Sequence, residues 1–216
     1  MRTVQDVAQV KNHWWWRPGW QVGRHFYACH ITFEKQPDVQ RLAAFYQEPL
    51  GQFPGLDLIP RPWLHLTMQG IGFTDEVSDS EISRITSGIS GRLASITPPV
   101  VTFTRPTVQN DAIYMPAAPA DALDEVRRNT HEAIKEVLGP KRSPDMNLTQ
   151  ALQKYQPHVS IAYVNRDGSA LPYIEALHGI SHGPVTLSIR AVSILTFHRD
   201  NRMYEWTSAI PITTGR

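Results

Sequence analysis

The chain has 216 residues, with 21 Lys and Arg against 20 Asp and Glu and a formal net charge of +1. Its composition, 41% hydrophobic and 19% charged, is typical of a soluble globular protein and excludes a disordered one. The small net charge argues against a broad nucleic-acid-binding surface, which usually carries a basic excess. Cys29 is the single cysteine, which excludes an intramolecular disulfide and a cysteine-based metal site. There is no apolar run of transmembrane length and no signal-peptide pattern, so we expect a cytoplasmic protein without a membrane partner. The chain does not specify an oligomeric state, and we take a monomer as the default.

The N-terminal stretch is unusually rich in tryptophan, with Trp14, Trp15, Trp16 and Trp20 close together. We treat residues 1–24 as an extension that precedes one larger domain over residues 25–216. Bulky aromatic residues usually cap a core, but they can also stack on nucleobases. Both interpretations stay open.

The first part of the domain predicts the order strand, helix, long loop, strand, helix, strand. Apolar alternation predicts strands over 25–33, 63–68 and 100–104, and a helical apolar period predicts helices over 37–47 and 78–93. The second part repeats this order. Its predicted elements are a strand over 112–115, a helix over 121–138, a polar loop over 141–155, a strand over 156–161, a short helix that begins at Asp167, a long strand over 185–197 and a hairpin partner over 204–212.

The two predicted strands that follow the long loops have the same design. The first contains His65 and Thr67, and the second contains His158 and Ser160. Residues two apart on a strand point to the same face, so each strand presents an imidazole beside a hydroxyl. Two such strands facing each other would supply a proton acceptor, a proton donor and two hydroxyls around one phosphate.

Other residues near these strands are weaker candidates for substrate binding. Gln69 is four positions after His65 and is therefore expected on the same face, while Arg61 and Tyr155 precede the two strands. His30 belongs to a third His-x-Thr pair, but the corresponding strand of the second half has no histidine. We therefore expect His30 to line or border the cleft, or to pack in the sheet, without acting as acid or base.

A metal site is not predicted. His178, His182 and His198 follow one another in the last third of the chain, but no acidic residue stands at ligand spacing from them. We expect no metal and no other cofactor.

Both motifs, Leu64-His65-Leu66-Thr67-Met68 and Pro157-His158-Val159-Ser160-Ile161, resemble the signatures of the 2H phosphoesterase superfamily, and in particular its bacterial 2′-5′ RNA ligase branch. The resemblance covers most of the chain from about residue 25. It implies an α+β fold of two pseudo-two-fold-related lobes, with antiparallel sheets lining a central cleft and helices outside. It also implies that each lobe supplies one His and one Thr or Ser, without a metal.

The resemblance implies an enzyme that opens 2′,3′-cyclic phosphates, or makes and breaks 2′-5′ linkages, in an RNA terminus or a small nucleotide. Which histidine is the base depends on the direction in which the substrate binds. Two alternatives remain from the residues alone: a non-catalytic nucleotide- or RNA-binding module with the same cleft, and a hydrolase of a non-nucleotide phosphoester.

Overall fold

A computed structural model of the chain describes residues 5–143, 150 and 153–215. Its strands are β1 (Gln9–Val10), β2 (Phe26–Thr32), β3 (Leu56–Leu58), β4 (His65–Phe73), β5 (Val100–Phe103), β6 (Thr107–Val108), β7 (Ala112–Ala118), β8 (His158–Val164), β9 (Gly168–Ser169), β10 (Val185–Ser188), β11 (Ala191–His198) and β12 (Glu205–Thr213). The α-helices described are α1 (Pro37–Leu50), α2 (Asp79–Leu93), α3 (Asp124–Leu138) and α4 (Leu171–Leu177). None of these helices is both long enough and apolar enough to cross a bilayer.

The two motif strands lie side by side at the centre of a ten-stranded antiparallel sheet. The sheet order is β10-β5-β7-β8-β4-β2-β11-β12, and β3 and β6 pair with β8 and β7 at its margins. Strands β4 and β8 meet at Leu66 opposite Val159. The order on one side of this pair mirrors the order on the other, which confirms the predicted α+β fold with two related halves around a centre.

The third strand of each half crosses to the other half. Strand β5, from the first half, pairs with β7, while β11, from the second half, pairs with β2. The single long strand predicted over 185–197 is therefore wrong: the chain forms β10 against β5 and then β11 against β2 and β12. The break falls at Ile189, whose side chain is buried and whose amide donates to the Pro99 carbonyl. The strand is interrupted there because β10 and β11 pair with strands on opposite sides of the sheet.

The helices cover one face of the sheet and bury their apolar stripes against it. Helix α2 begins at a capping box in which Ser78 and Glu81 satisfy each other's backbone amides, as the Ser78 start predicted. Helix α1 continues past the predicted end at Gln47 because Leu50, in its last turn, is fully buried. Leu66 and Val159 of the motif strands are also fully buried on this side. Each such side chain contributes on the order of 2 kcal/mol to folding, and their burial turns the alternate residues of both strands toward the open face.

The described residues that precede β2 pack against the rest of the chain. Strand β1 pairs with β9, and Val10 is buried in the main core. The Val7 and Lys11 amides donate to the carbonyls of Val108 and Asn110. The segment therefore enters the cleft region from the margin of the second half.

Candidate active site

The antiparallel pairing of the motif strands brings the two His-x-Thr/Ser pairs together. With Leu66 opposite Val159, the register places Thr67 across from His158 and His65 across from Ser160. All four line one cleft of about 480 Å³ on the face opposite the helices. The two imidazoles and two hydroxyls thus share a single site at the centre of the sheet.

Both imidazoles are held in the same way. The Nδ1 of His65 is 2.8 Å from the Trp63 carbonyl oxygen, and the Nδ1 of His158 is 2.7 Å from the Gln156 carbonyl oxygen. A carbonyl can only accept, so Nδ1 carries the proton in each ring. In the neutral imidazole Nε2 is then the proton acceptor left for the cleft.

Burial keeps both imidazoles neutral near pH 7. Desolvation, together with the nearby His158 and His13 rings, lowers the pKa of His65 to about 4 against the opposing hydrogen bond to Trp63. Desolvation also lowers the pKa of His158, although the hydrogen bond to Gln156 and the charge of Asp111 oppose this. The Asp111 carboxylate therefore favours the protonated form of His158. In the described structure, no carboxylate raises the pKa of His65 in the same way.

Each imidazole stacks on a ring from the neighbouring strand. His30 of β2 lies 4.9 Å from His65, with the ring planes 25° apart, and Tyr114 of β7 lies 4.1 Å from His158, at 26°. His30 pairs with Thr67 and Tyr114 pairs with Ser160. Tyr114 is therefore the counterpart of His30 in the second half. The repeated order of elements indicates this position, but a search for a second histidine does not find it.

His30 lines the cleft, as expected, but its environment differs from that of the two motif histidines. Its side chain is only 5% exposed, and burial, reinforced by His65, holds its pKa well below the usual value. A ring that stays neutral and lies under another ring is suited to support His65 by packing.

Gln69 does not lie on the cleft face, contrary to its four-residue spacing from His65. The register between β2 and β4 shifts after Thr67, so that Gln69 pairs with Cys29, and Gly70 lines the cleft instead. Such a bulge adds one residue and reverses the alternation beyond it. Gln69 is consequently buried, with 2% exposure.

Arg61 and Tyr155 are outside the group of residues that line this cleft. Arg61 is exposed in a 3₁₀ turn before β4. Tyr155 donates its hydroxyl hydrogen to the Thr67 carbonyl at 2.9 Å, and the Arg127 guanidinium packs 4.5 Å from the centre of its ring. Tyr155 therefore braces the backbone of the first motif from behind.

A hydrogen-bonded chain that no sequence motif indicates lies at one end of the cleft. The Nδ1 of His13 is 3.0 Å from Asp111 Oδ2, and the Tyr204 hydroxyl is 2.9 Å from His13 Nε2. Burial lowers the pKa of His13, so its neutral ring donates to Asp111 and accepts from Tyr204. These residues come from three distant parts of the chain and carry no shared motif, which is why spacing could not associate them.

Among the described residues, no group of three or more His, Cys, Asp and Glu side chains is arranged to hold a metal ion. The cleft does contain several imidazoles, and each of the two motif rings is oriented through Nδ1 by a carbonyl. A metal-independent reaction stays a prediction.

Comparison with known proteins identifies the family. The model of the 2′-5′ RNA ligase superfamily matches residues 32–201, which include both motif strands. A protein of Thermus thermophilus, TT0787, superimposes with a TM-score of 0.59 at 17% identity, covering 88% of this chain and 97% of its own. E. coli LigT complexed with phosphate superimposes with a TM-score of 0.54 at 10% identity, covering 89% and 99%.

E. coli LigT complexed with 3′-AMP gives a TM-score of 0.51 at 12% identity, covering 88% of this chain and 99% of that one. At such identities the superpositions show a common fold. A sequence comparison with curated proteins gave no match. On the family match over residues 32–201, the chain belongs to the 2′-5′ RNA ligase superfamily of 2H phosphoesterases.

Proposed function

We propose that the protein is a metal-independent phosphoesterase that opens 2′,3′-cyclic phosphates of RNA or nucleotides, with His65 and His158 as its acid–base pair. The observation that carries the proposal is the matched placement of the two imidazoles. Both line one cleft, and both are oriented through Nδ1 by the carbonyl two residues earlier. The complexes of E. coli LigT with phosphate and with 3′-AMP support a phosphate- or nucleotide-containing substrate in a cleft of this fold.

The reaction needs one neutral and one protonated imidazole. A water oxygen attacks phosphorus while the neutral ring takes the water proton on Nε2, and the bond from phosphorus to one ribose oxygen breaks. The protonated ring gives its Nε2 proton to that oxygen, so the products are a phosphomonoester and a free hydroxyl. The two rings end with exchanged protonation states and return to the starting states by proton exchange with water.

The electrostatics favour His158 as the proton donor in this direction. The charge of Asp111 opposes the lowering of the His158 pKa by desolvation, whereas desolvation and neighbouring imidazoles lower the pKa of His65 to about 4. An anionic phosphate bound between the rings adds a negative charge near both and raises both pKa values. Formation of a 2′-5′ linkage would follow the same course with a ribose 5′-hydroxyl in place of water: the neutral ring takes the hydroxyl proton, and the protonated ring gives its proton to the 3′ oxygen as the bond from phosphorus to that oxygen breaks.

In this mechanism Thr67 and Ser160 stabilise charge on the phosphate. Each hydroxyl lies across the strand pair from the histidine of the other motif and lines the cleft. Hydroxyl donors aimed at the non-bridging oxygens are most effective in the transition state, where charge on these oxygens grows.

Purified protein incubated with a panel of 2′,3′-cyclic mononucleotides and cyclic-phosphate-ended oligoribonucleotides, with and without a strong chelator, tests this function. We expect conversion to phosphomonoesters at equal rates in both conditions. A rate lost on chelation and restored by a divalent ion would replace the mechanism with a metal-dependent one. Binding without turnover would favour the non-catalytic module, and neither binding nor turnover would favour a non-nucleotide phosphoester.

A further inference from the structure

A segment outside the matched family region forms part of the cleft wall. His13, Arg17 and Trp20 line the same cleft as His65 and His158, although the family model begins only at residue 32. We call residues 13–20 the N-terminal strap.

The strap is fixed at both ends to different halves of the sheet. At one end, His13 stacks on Tyr163 of β8 at 4.3 Å, and its amide donates to the Val164 carbonyl. At the other end, Trp20 packs 5.5 Å from Phe26 and 5.2 Å from Phe73. The strap therefore spans the cleft from the second motif strand to the far end of the first, and its position is set by packing.

Arg17 gives the strap a permanent positive charge that the rest of the cleft wall lacks. Among the described residues that line the cleft, Arg17 is the one Arg or Lys. Its Nη2 is 4.0 Å from Asp111 Oδ2, beyond hydrogen-bond length, and its buried Nε has no acceptor in the described structure. The guanidinium therefore keeps donors for an anionic group in the cleft.

The tryptophans of the strap divide into two kinds. Trp14 packs against Tyr163 and donates its indole N–H to Asp57, so it caps the core. Trp15 and Trp16 are 57% and 51% exposed, and the Arg17 guanidinium lies 5.9 Å from the Trp15 ring centre. Two adjacent exposed indoles beside an arginine that enters the cleft are the combination with which proteins bind single-stranded nucleic acid, by stacking on bases and pairing with phosphates.

We propose that the N-terminal strap binds the nucleotides adjoining the reacting phosphate, with Trp15 and Trp16 stacking on bases and Arg17 contacting a phosphate. The preferred substrate is then a single-stranded RNA terminus and not a free cyclic mononucleotide. This inference rests on the proposed function, because it names the substrate class of the same cleft. The small net charge of +1 agrees with a short, local contact in place of a broad basic surface.

The test compares two substrates in one set of variants. The substrates are a 2′,3′-cyclic mononucleotide and a short single-stranded oligoribonucleotide with the same 2′,3′-cyclic end. The variants are Trp15→Ala/Trp16→Ala, Arg17→Ala, and two matched controls elsewhere on the surface. Leu171→Ala removes another exposed apolar side chain, 55% exposed, and Arg41→Ala removes an arginine paired only with Asp38 in the described structure.

Loss of stacking on a base lowers affinity by about 5- to 140-fold. We expect the double tryptophan variant to lose at least about fivefold in kcat/KM on the oligonucleotide, with turnover of the mononucleotide nearly unchanged. Arg17→Ala should raise KM for the oligonucleotide more than it lowers kcat, and both controls should behave as the wild-type protein does. Equal losses on both substrates, or no loss on either, would overturn the proposal, and an unchanged thermal midpoint verifies that each variant is folded.

If the proposed function is wrong, the wild-type protein will turn over neither substrate. Binding then decides the role of the strap. Fluorescence anisotropy with a labelled 3′-phosphate-ended oligoribonucleotide should still show weaker binding by Trp15→Ala/Trp16→Ala than by Leu171→Ala. Equal binding by the two variants would refute an RNA-binding strap.

Discussion

The packing of His65 predicts that the protein loses stability as the pH falls. Desolvation lowers the pKa of His65 from 6.5 to about 4 in the folded protein, so between these values the unfolded chain binds a proton that the folded protein does not. The stabilisation is complete above the unfolded pKa and is lost as the pH falls toward the folded one. Each pH unit in this window costs about 1.4 kcal/mol, so His65 alone should remove about 2 kcal/mol from the free energy of unfolding between pH 7 and pH 5.

Urea denaturation at pH 7 and pH 5, with the wild-type protein and His65→Gln, measures this effect. Glutamine does not titrate, so the difference in pH dependence between the two proteins isolates His65 from the carboxylates and from the other histidines. His178→Gln, at an exposed position after α4, is the matched control and should keep the wild-type pH dependence. If His65→Gln lost as much stability between the two pH values as the wild-type protein does, His65 would not be held neutral by its surroundings.

Three further predictions concern the reaction. The pH profile of kcat/KM should be bell-shaped, with its basic limb below pH 6.5 because burial lowers the pKa of His158, and a basic limb above pH 7.5 would contradict this. Thr67→Ala and Ser160→Ala should each lower kcat by about 10²- to 10³-fold, as for loss of one donor to a developing charge, while Thr67→Ser should keep most of the wild-type rate. Steady-state kinetics measures this, and a wild-type kcat in either Ala variant would contradict it. Tyr114→Phe keeps the ring that stacks on His158 and should stay within about tenfold of the wild-type kcat, whereas a larger loss would assign a role to the hydroxyl.

The sequence predicted the central features of the site because they depend on local periodicity. The two-residue spacing of His65 and Thr67, and of His158 and Ser160, places each pair on one strand face, and the repeated order of elements predicted that the strands meet. The structure places all four in one cleft. Burial of Leu66 and Val159 on the helix side is the physical reason that the pairs point the other way.

Features that depend on register or on distant contacts could not be predicted. Gln69 was expected on the cleft face, but a bulge reverses the alternation after Thr67. No residue pattern in β4 predicts this bulge. The prediction of one long strand over 185–197 was wrong because the apolar alternation continues across Ile189, where the chain crosses from one side of the sheet to the other. The chain of His13, Asp111 and Tyr204 forms only when three distant segments pack together.

The sequence also could not distinguish the two interpretations of the N-terminal tryptophans. A run of tryptophans is compatible with core packing and with base stacking, and the chain uses its tryptophans differently: Trp14 is packed, while Trp15 is exposed. Only the folded chain distinguishes these two, because their burial is decided by contacts with β8 and with the segment that leads to β12.

The most direct test of the central claim is kcat/KM for His65→Ala, His158→Ala and the double variant on a cyclic-phosphate-ended oligoribonucleotide. Each single variant should lose about 10²- to 10⁴-fold, as expected for removal of one general acid or base. Because the two rings act as a unit, the double variant should be little slower than either single variant. Near wild-type turnover by either single variant, or losses that multiply in the double variant, would contradict an acid–base pair formed by His65 and His158.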